Sequence, residues 1–243
     1  MKAIILAAGY ATRLYPLTLD KPKALLPVKD KPIINYIIDK ISQIEDIDEI
    51  FIITNDKFYM NFVWWLNQYE SKFNQKIEII NDGTTSNETR LGGIGDLNFV
   101  IEKENIKDEI LVISGDNLFD FNLQDMIDSF NQVKKTTAGI YDIKDVEEVK
   151  KMSVVEIKDG KITFFEEKPS EPKSTISSIG IYIFSKSDIE KIREYMKTDK
   201  SKDGPGYLIK YFSEEGDVYA FILEGRCFDI GSKETYEKVN KEW

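Results

Sequence analysis

Five side chains spread over the chain sit in contexts that could do chemistry: Arg13, Lys23, Asp116, Lys168 and Asp229. Arg13 closes Leu6-Ala7-Ala8-Gly9-Tyr10-Ala11-Thr12-Arg13, where an apolar run gives way to small residues. Glycine and small side chains let backbone N–H groups come close to a ligand, and phosphate oxygens are natural acceptors for them. Arg13 and Lys23 would add mobile positive charge. The residues alone leave a phosphate cradle and an ordinary surface loop equally open. Neither a P-loop nor a G-x-G-x-x-G fingerprint is present.

Asp116 stands in Ser114-Gly115-Asp116-Asn117, and Asp229 in Phe228-Asp229-Ile230-Gly231. Each follows an apolar run and lies beside a glycine. Two hard oxygen donors meeting in one cleft could hold Mg²⁺, with phosphate oxygens and water completing an octahedron. Taken singly, each reads as a turn or cap aspartate. Phe165-Glu166-Glu167-Lys168-Pro169 reads singly as a charged turn stopped by proline.

Composition narrows the chemistry. The 243 residues contain no histidine and a single cysteine, Cys227. Imidazole metal sites, Ser-His-Asp triads and zinc ribbons are therefore excluded. Carboxylates, Lys, Arg, backbone amides and a hard metal ion remain. The net charge of −10 argues against a nucleic-acid partner. It leaves room for a local positive pocket that takes small anions. A lone cysteine fits a reducing, cytoplasmic setting. No apolar run is long enough for a membrane span, so no membrane partner is expected.

The elements needed to position these residues are legible as patterns. Strands are expected at 2–7, 49–54, 76–80 and 109–113, with helices at 32–44, 58–72, 96–104 and 123–133 between and after them. This alternation predicts an α/β, doubly wound sheet. The second half is richer in strands: 137–142, 153–157, 161–166, 177–184, 218–223 and 226–230. Helices are expected at 187–196, 207–215 and 233–241. No linker or repeat divides the chain, so residues 1–243 are read as one domain with two lobes around a cleft. The aromatic stretch Phe58–Trp65 is read as core, and the oligomeric state stays open.

Leu6–Pro16, continued by Asp20-Lys21-Pro22-Lys23-Ala24-Leu25-Leu26-Pro27-Val28, resembles the G-x-G-T-R-L-x-P…P-K-x-L-x-P-V motif of sugar-phosphate nucleotidyltransferases. Glucose-1-phosphate thymidylyltransferases and mannose-1-phosphate guanylyltransferases are the similar groups. Ala11 replaces the second glycine of that motif, a costly change only if the position requires φ > 0. Ala24 stands where thymidylyltransferases often place glutamine. The resemblance implies a Rossmann-like, mixed sheet of the nucleotide-diphospho-sugar transferase type with a β-rich sugar-binding lobe. About residues 1–120 would then handle the nucleotide and about 121–243 the sugar phosphate.

The resemblance also implies roles. Leu6, Ala7, Ala8, Gly9 and Thr12 would bind the nucleotide, with Asn81, Gly83 and Gly92 near the base. Gly92–Leu97 resembles the G-T-A-G-A-L turn of the family, with Asp96 in place of a small residue. Asp116 and Asp229 match its metal ligands. Glu167 and Lys168 match its E-K-P motif, where the glutamate holds sugar hydroxyls and the lysine the sugar phosphate. Asn117 and Gly180 fall beside the sugar. Ser153 replaces a family glycine.

The expected reaction is in-line attack of a sugar-1-phosphate on the α-phosphorus of a nucleoside triphosphate, with Mg²⁺ and with Arg13, Lys23 and Lys168 neutralising charge. The nucleophile is already an anion near neutral pH, so no general base is required. Two other readings stand beside it: a cytidylyltransferase acting on phosphocholine or another small phosphate, and a catalytically silent regulatory subunit. Glu167–Pro169 favours the sugar, and the five retained side chains favour catalysis. From the chain's length, no acetyltransferase activity and little feedback regulation are expected.

Overall fold

A computed structural model describes all 243 residues. In chain order the elements begin with β1 (Lys2–Leu6), a small ribbon of β2 (Pro27–Val28) and β3 (Lys31–Pro32), α1 (Ile33–Ile41), β4 (Glu49–Thr54), α2 (Tyr59–Tyr69), β5 (Lys76–Asn81) and α3 (Gly93–Lys103). Then come β6 (Ile110–Ser114), β7 (Asn117–Phe119), α4 (Leu123–Val133), β8 (Thr137–Asp142), α5 (Val146–Val149), β9 (Ser153–Lys158), β10 (Lys161–Glu167) and β11 (Ile176–Phe184). The chain closes with α6 (Ile189–Met196), α7 (Gly206–Ser213), β12 (Tyr219–Ile222), β13 (Cys227–Asp229) and α8 (Lys233–Glu242).

One nine-stranded sheet runs in the order β5-β4-β1-β6-β11-β8-β12-β10-β9. Its first four strands are mutually parallel, with Ile4 opposite Phe51 on one side and Val112 on the other. The order reverses at β1, because β4 and β5 lie to one side and β6 to the other. Such a switch point opens a crevice beyond the carboxyl ends of β1 and β6, where ligands of open α/β sheets bind. From β11 onward the sheet is mixed: β11 is antiparallel to β6 and β8, and β12 is parallel to β8. The strands of the second half therefore continue the sheet of the first half rather than form a separate one.

Side-chain alternation along β1 explains the layering. Ala3 and Ile5 face a core built with α1, α2 and α4, and Ile4 faces a second core built with α3, α6 and α7. Both faces are covered, which is why the central strands read as unbroken apolar runs. Phe58, Phe62 and Trp65 are buried, as expected, whereas Trp64 is 60% exposed. Several helix ends are locally encoded. Asn122 caps α4 by accepting from Gln124 N–H, Lys134 ends it in the left-handed region, and Ser232 caps α8. No helix is long and apolar enough to cross a membrane.

Candidate active site

β1 ends at Leu6, and the chain turns through Ala7–Gly9 over the carboxyl edge of the sheet. Buried Asn55 pins this turn: its Nδ2 donates to the Ala8 carbonyl at 2.8 Å, while its Oδ1 accepts from Phe58 N–H. Thr18 Oγ1 donates to the Ala11 carbonyl at 2.8 Å. Ala11 itself has φ 48° and ψ 42°, in the left-handed region. The position therefore does require positive φ, and the methyl group costs about 1–2 kcal/mol there. The strain aims the next turn, Thr12–Leu14, so that Arg13 heads toward the end of β13. Nη2 of Arg13 lies 3.9 Å from where a Cβ on Gly231 would stand. The chain's other three arginines are ion-paired, to Asp203, to Glu102 and Glu190, and to Asp120; Arg13 has no such partner.

Asp116 and Asp229 meet because of a short antiparallel pairing that the sequence did not reveal. β7 and β13 form a two-stranded ladder with Asn117 opposite Asp229, and Ile230 N–H donates to the Asp116 carbonyl. This sets the two carboxylates side by side at the mouth of the β1–β6 crevice. Lys23 Nζ donates to Asp116 Oδ2, closing an ion pair across the crevice. Asp229 ends β13 at the rim of the crevice, with part of its surface in water. Burial, then the neighbouring Asp116 carboxylate, pushes its pKa up to about 6, against the pull of Lys23, Arg13 and Lys168. No group of three or more metal-binding side chains converges anywhere in the chain. Two hard oxygens whose mutual repulsion raises a pKa suit a divalent oxophilic cation that takes its remaining ligands from phosphate and water.

The adjoining cleft holds a cavity of about 220 Å³ that opens to solvent. Leu6, Ala7, Ala8, Gly9, Lys23, Gly92 and Asp116 line it, all anticipated except that Gly92 plays a second part. Gly92 has φ 79°, and a Cβ there would strike the Lys202 carbonyl. The α3 N–H groups that follow it are already used: Gly93 donates to the Asp203 carbonyl at 2.6 Å and Ile94 to that of Lys202 at 3.0 Å. Gly92 thus admits the 202–205 segment against α3, and that end of α3 is not a free anion site.

Lining residues that went unassigned from the sequence include Arg90, Ser114, Asp203 and Pro205. Arg90 donates to Asp203 at 3.1 Å, joining two loops more than a hundred residues apart. Nothing short of the tertiary fold pairs them.

Asn81 and Gly83 lie outside this cleft lining. Asn81 Nδ2 donates to Asp56 and its Oδ1 accepts from Gly83 N–H, both at 2.8 Å, so the side chain is spent on closing its own turn. Thr12 is exposed and likewise lies outside the cleft lining. Asn117 is 3% exposed and donates its amide to the Ile179 carbonyl, a brace rather than an open contact.

The residues expected beside a sugar phosphate lie around an irregularity in β11. Its register shifts between Ser178 and Tyr182, where it passes from pairing with β9 to pairing with β6. Gly180 sits in the shift with φ 73°, and a Cβ there would lie 2.6 Å from Ser114 Oγ. Ser153 Oγ donates to the Ser178 carbonyl at 3.1 Å, so this serine braces the same bulge. Glu167 ends β10 half-buried. Burial raises its pKa, and Lys168 opposes the rise from 3.7 Å away. Lys168 adopts φ 49° and donates its N–H to the Met152 carbonyl at 2.8 Å, and its side chain is exposed. It also lies close enough to lower the pKa of Asp229.

Known proteins agree with this architecture. The nucleotidyl transferase family model matches residues 2–243. Mannose-1-phosphate guanylyltransferase 1 of Arabidopsis thaliana is 31% identical over 243 residues, 97% of this chain and 63% of its own. The bifunctional protein GlmU of Methanocaldococcus jannaschii is 31% identical, over 99% of this chain and 54% of its own length. The chain thus spans little more than half to under two thirds of these longer relatives. A Bacillus anthracis chain described as a glucose-1-phosphate thymidylyltransferase, solved in complex with a sucrose, superposes with a TM-score of 0.84 at 28% identity. That match covers 99% of this chain and 94% of the other. The chain belongs to the nucleotidyl transferase family.

Proposed function

We propose that the protein condenses a nucleoside triphosphate with a sugar-1-phosphate to give a nucleotide sugar and pyrophosphate, with Mg²⁺ held by Asp116 and Asp229. The observation that carries this reading is the β7–β13 ladder, which sets those two carboxylates beside Lys23 and Arg13 at the switch point of the sheet. Bound there, the ion would supply charge neutralisation at the α-phosphate.

The chain's own residues do the rest. The turn Ala7–Gly9 offers small-residue backbone to the triphosphate. Arg13, free of any ion pair, holds the departing pyrophosphate. Lys23 releases Asp116 and moves to the phosphates. Lys168 neutralises the incoming sugar phosphate, and Glu167 accepts from sugar hydroxyls. With both polyanions held in line, the sugar-phosphate oxygen attacks the α-phosphorus as the bond to pyrophosphate breaks. Positioning and charge neutralisation are the main demands of such a transfer, and no histidine is needed. We place the reaction in the cytoplasm, where Cys227 stays a thiol.

The test is pyrophosphate release over a panel of triphosphates and phosphorylated acceptors, with and without Mg²⁺, with the nucleotide sugar identified by mass. Turnover with phosphocholine but with no sugar-1-phosphate would overturn the sugar assignment.

A further inference from the structure

Asp96 lies in the first turn of α3, lines the nucleotide cleft, and is 6% exposed. Its Oδ1 has no hydrogen-bond partner in the whole chain. A buried polar atom without a partner is costly and calls for an explanation. Asp82, 9% exposed, is the neighbour, and each of its oxygens already accepts one bond: Oδ1 from Thr84 N–H at 2.6 Å and Oδ2 from Thr84 Oγ1 at 3.0 Å. Tyr10 OH lies 3.3 Å from that same hydroxyl.

Burial, and then Asp82, push the Asp96 pKa up to about 8. At neutral pH the two carboxyls hold one proton between them. With Asp96 donating that O–H to Asp82, its remaining oxygen is a carbonyl-type acceptor facing no donor.

Charge says which part of a nucleotide can supply the donor. Lys23, Arg13 and Lys168 all act on Asp229, and the charged group acting on Asp96 is another carboxyl, Asp82. A triphosphate belongs at the first end. The second end repels phosphate and suits a neutral group that donates a hydrogen bond. Uracil and thymine present two carbonyl oxygens flanking a single N–H, and these oxygens would oppose an acceptor. Guanine, cytosine and adenine each present an exocyclic amino group.

Resting on the nucleotidyltransferase reading, we propose that Asp96, braced by Asp82, is the group that selects the nucleobase, by accepting a hydrogen bond from an exocyclic amino group. The chain is thereby set for an amino-bearing base over uracil or thymine.

The experiment is calorimetric binding of GTP, CTP, ATP, UTP, dTTP and dGTP to the full chain, with and without Mg²⁺. It is done for the wild type, Asp96→Asn and Asp96→Ala, with thermal melts to confirm folding. One hydrogen bond predicts that an amino-bearing triphosphate binds about ten-fold more tightly than UTP or dTTP. Asn can donate to Asp82 and still present a carbonyl, so Asp96→Asn should keep the preference. Asp96→Ala should bring it close to unity. Tighter binding of UTP or dTTP, or an unchanged ratio in Asp96→Ala, would overturn the proposal. So would a change in the GTP-to-dGTP ratio alone, which would assign Asp96 to the ribose. Failure of every triphosphate to bind would sink the nucleotidyltransferase reading itself, a result distinct from binding without preference.

Discussion

Lys23, in the loop after β1, donates to the carboxylate of Asp116 at the end of β6, closing the crevice with an ion pair between two proposed phosphate-transfer residues. In the substrate-free protein Lys23 offsets part of the repulsion between Asp116 and Asp229. Asp116→Asn and Asp229→Asn should each lower turnover by at least about a hundred-fold, the usual scale for losing charge stabilisation at a transferring group. Melting temperatures should hold, because both side chains sit at the cleft and outside the apolar cores. Near-normal turnover with Mg²⁺ in either variant would show that the metal lies elsewhere.

Asp229 also predicts a pH dependence. Its folded pKa, about 6, exceeds the ordinary aspartate value of 3.8, so the native state binds the extra proton in between. The substrate-free chain should therefore gain stability from this group as pH falls from 6 toward 4. Activity should move the opposite way, since a protonated Asp229 is a poor metal ligand. kcat/KM measured from pH 5 to 8 should fall on the acid side with an apparent pKa near 6 that higher Mg²⁺ shifts downward.

The same sign applies to Asp96 in a higher window. With a folded pKa of about 8, it removes stability as pH rises from about 4 through 8. Asp96→Asn should raise the melting temperature at pH 9 by a few degrees, where a kcal/mol is worth about 2–4 °C in a chain of this size. The gain should shrink below pH 6. A loss of stability at pH 9 would contradict the buried acid described above.

Ala11 carries left-handed backbone at φ 48°. Ala11→Gly removes about 1–2 kcal/mol of strain and adds back part of it as unfolded-state entropy. Its melting temperature should equal or exceed the wild type. Ala11→Val, β-branched at positive φ, should melt lower and lose turnover together, because Arg13 is aimed by this turn.

Gly180→Ala should be severe for a different reason. Its Cβ would enter the space of Ser114 Oγ, and φ 73° disfavours any side chain. A loss of about 2 kcal/mol or more is expected, with a higher KM for the sugar phosphate. Lys168→Ala separates the two effects. Its exposed side chain should leave stability unchanged while raising KM for the sugar phosphate far more than for the triphosphate.

Much of this fold was readable from periodicity. The strands 49–54 and 137–142 and the helix 123–133 match the observed β4, β8 and α4 residue for residue. Continuous apolar runs belong to parallel strands covered on both faces, and β1 is one. The first helical residue of α3 came three positions earlier than expected. Gly92-Gly93 looks like a helix breaker, and only packing against Lys202–Pro205 makes it a helix start. The ribbon β2–β3 and strand β7 were missed because two or three residues carry no period.

Local sequence determined the residue types at the site: a small-residue turn, cations at 13, 23 and 168, and carboxylates at 116 and 229. It could not decide which of them meet. Asp116 and Asp229 become neighbours through the β7–β13 ladder, Arg90 and Asp203 through the packing of two distant loops, and Asp82 and Asp96 through burial of one helix end. Local propensity is set by a few adjacent residues, but charge proximity and burial are set by the path of the whole chain. That is why the positive φ of Ala11, the commitment of Asn81 to its own turn and the unpartnered oxygen of Asp96 were decided only by the tertiary structure.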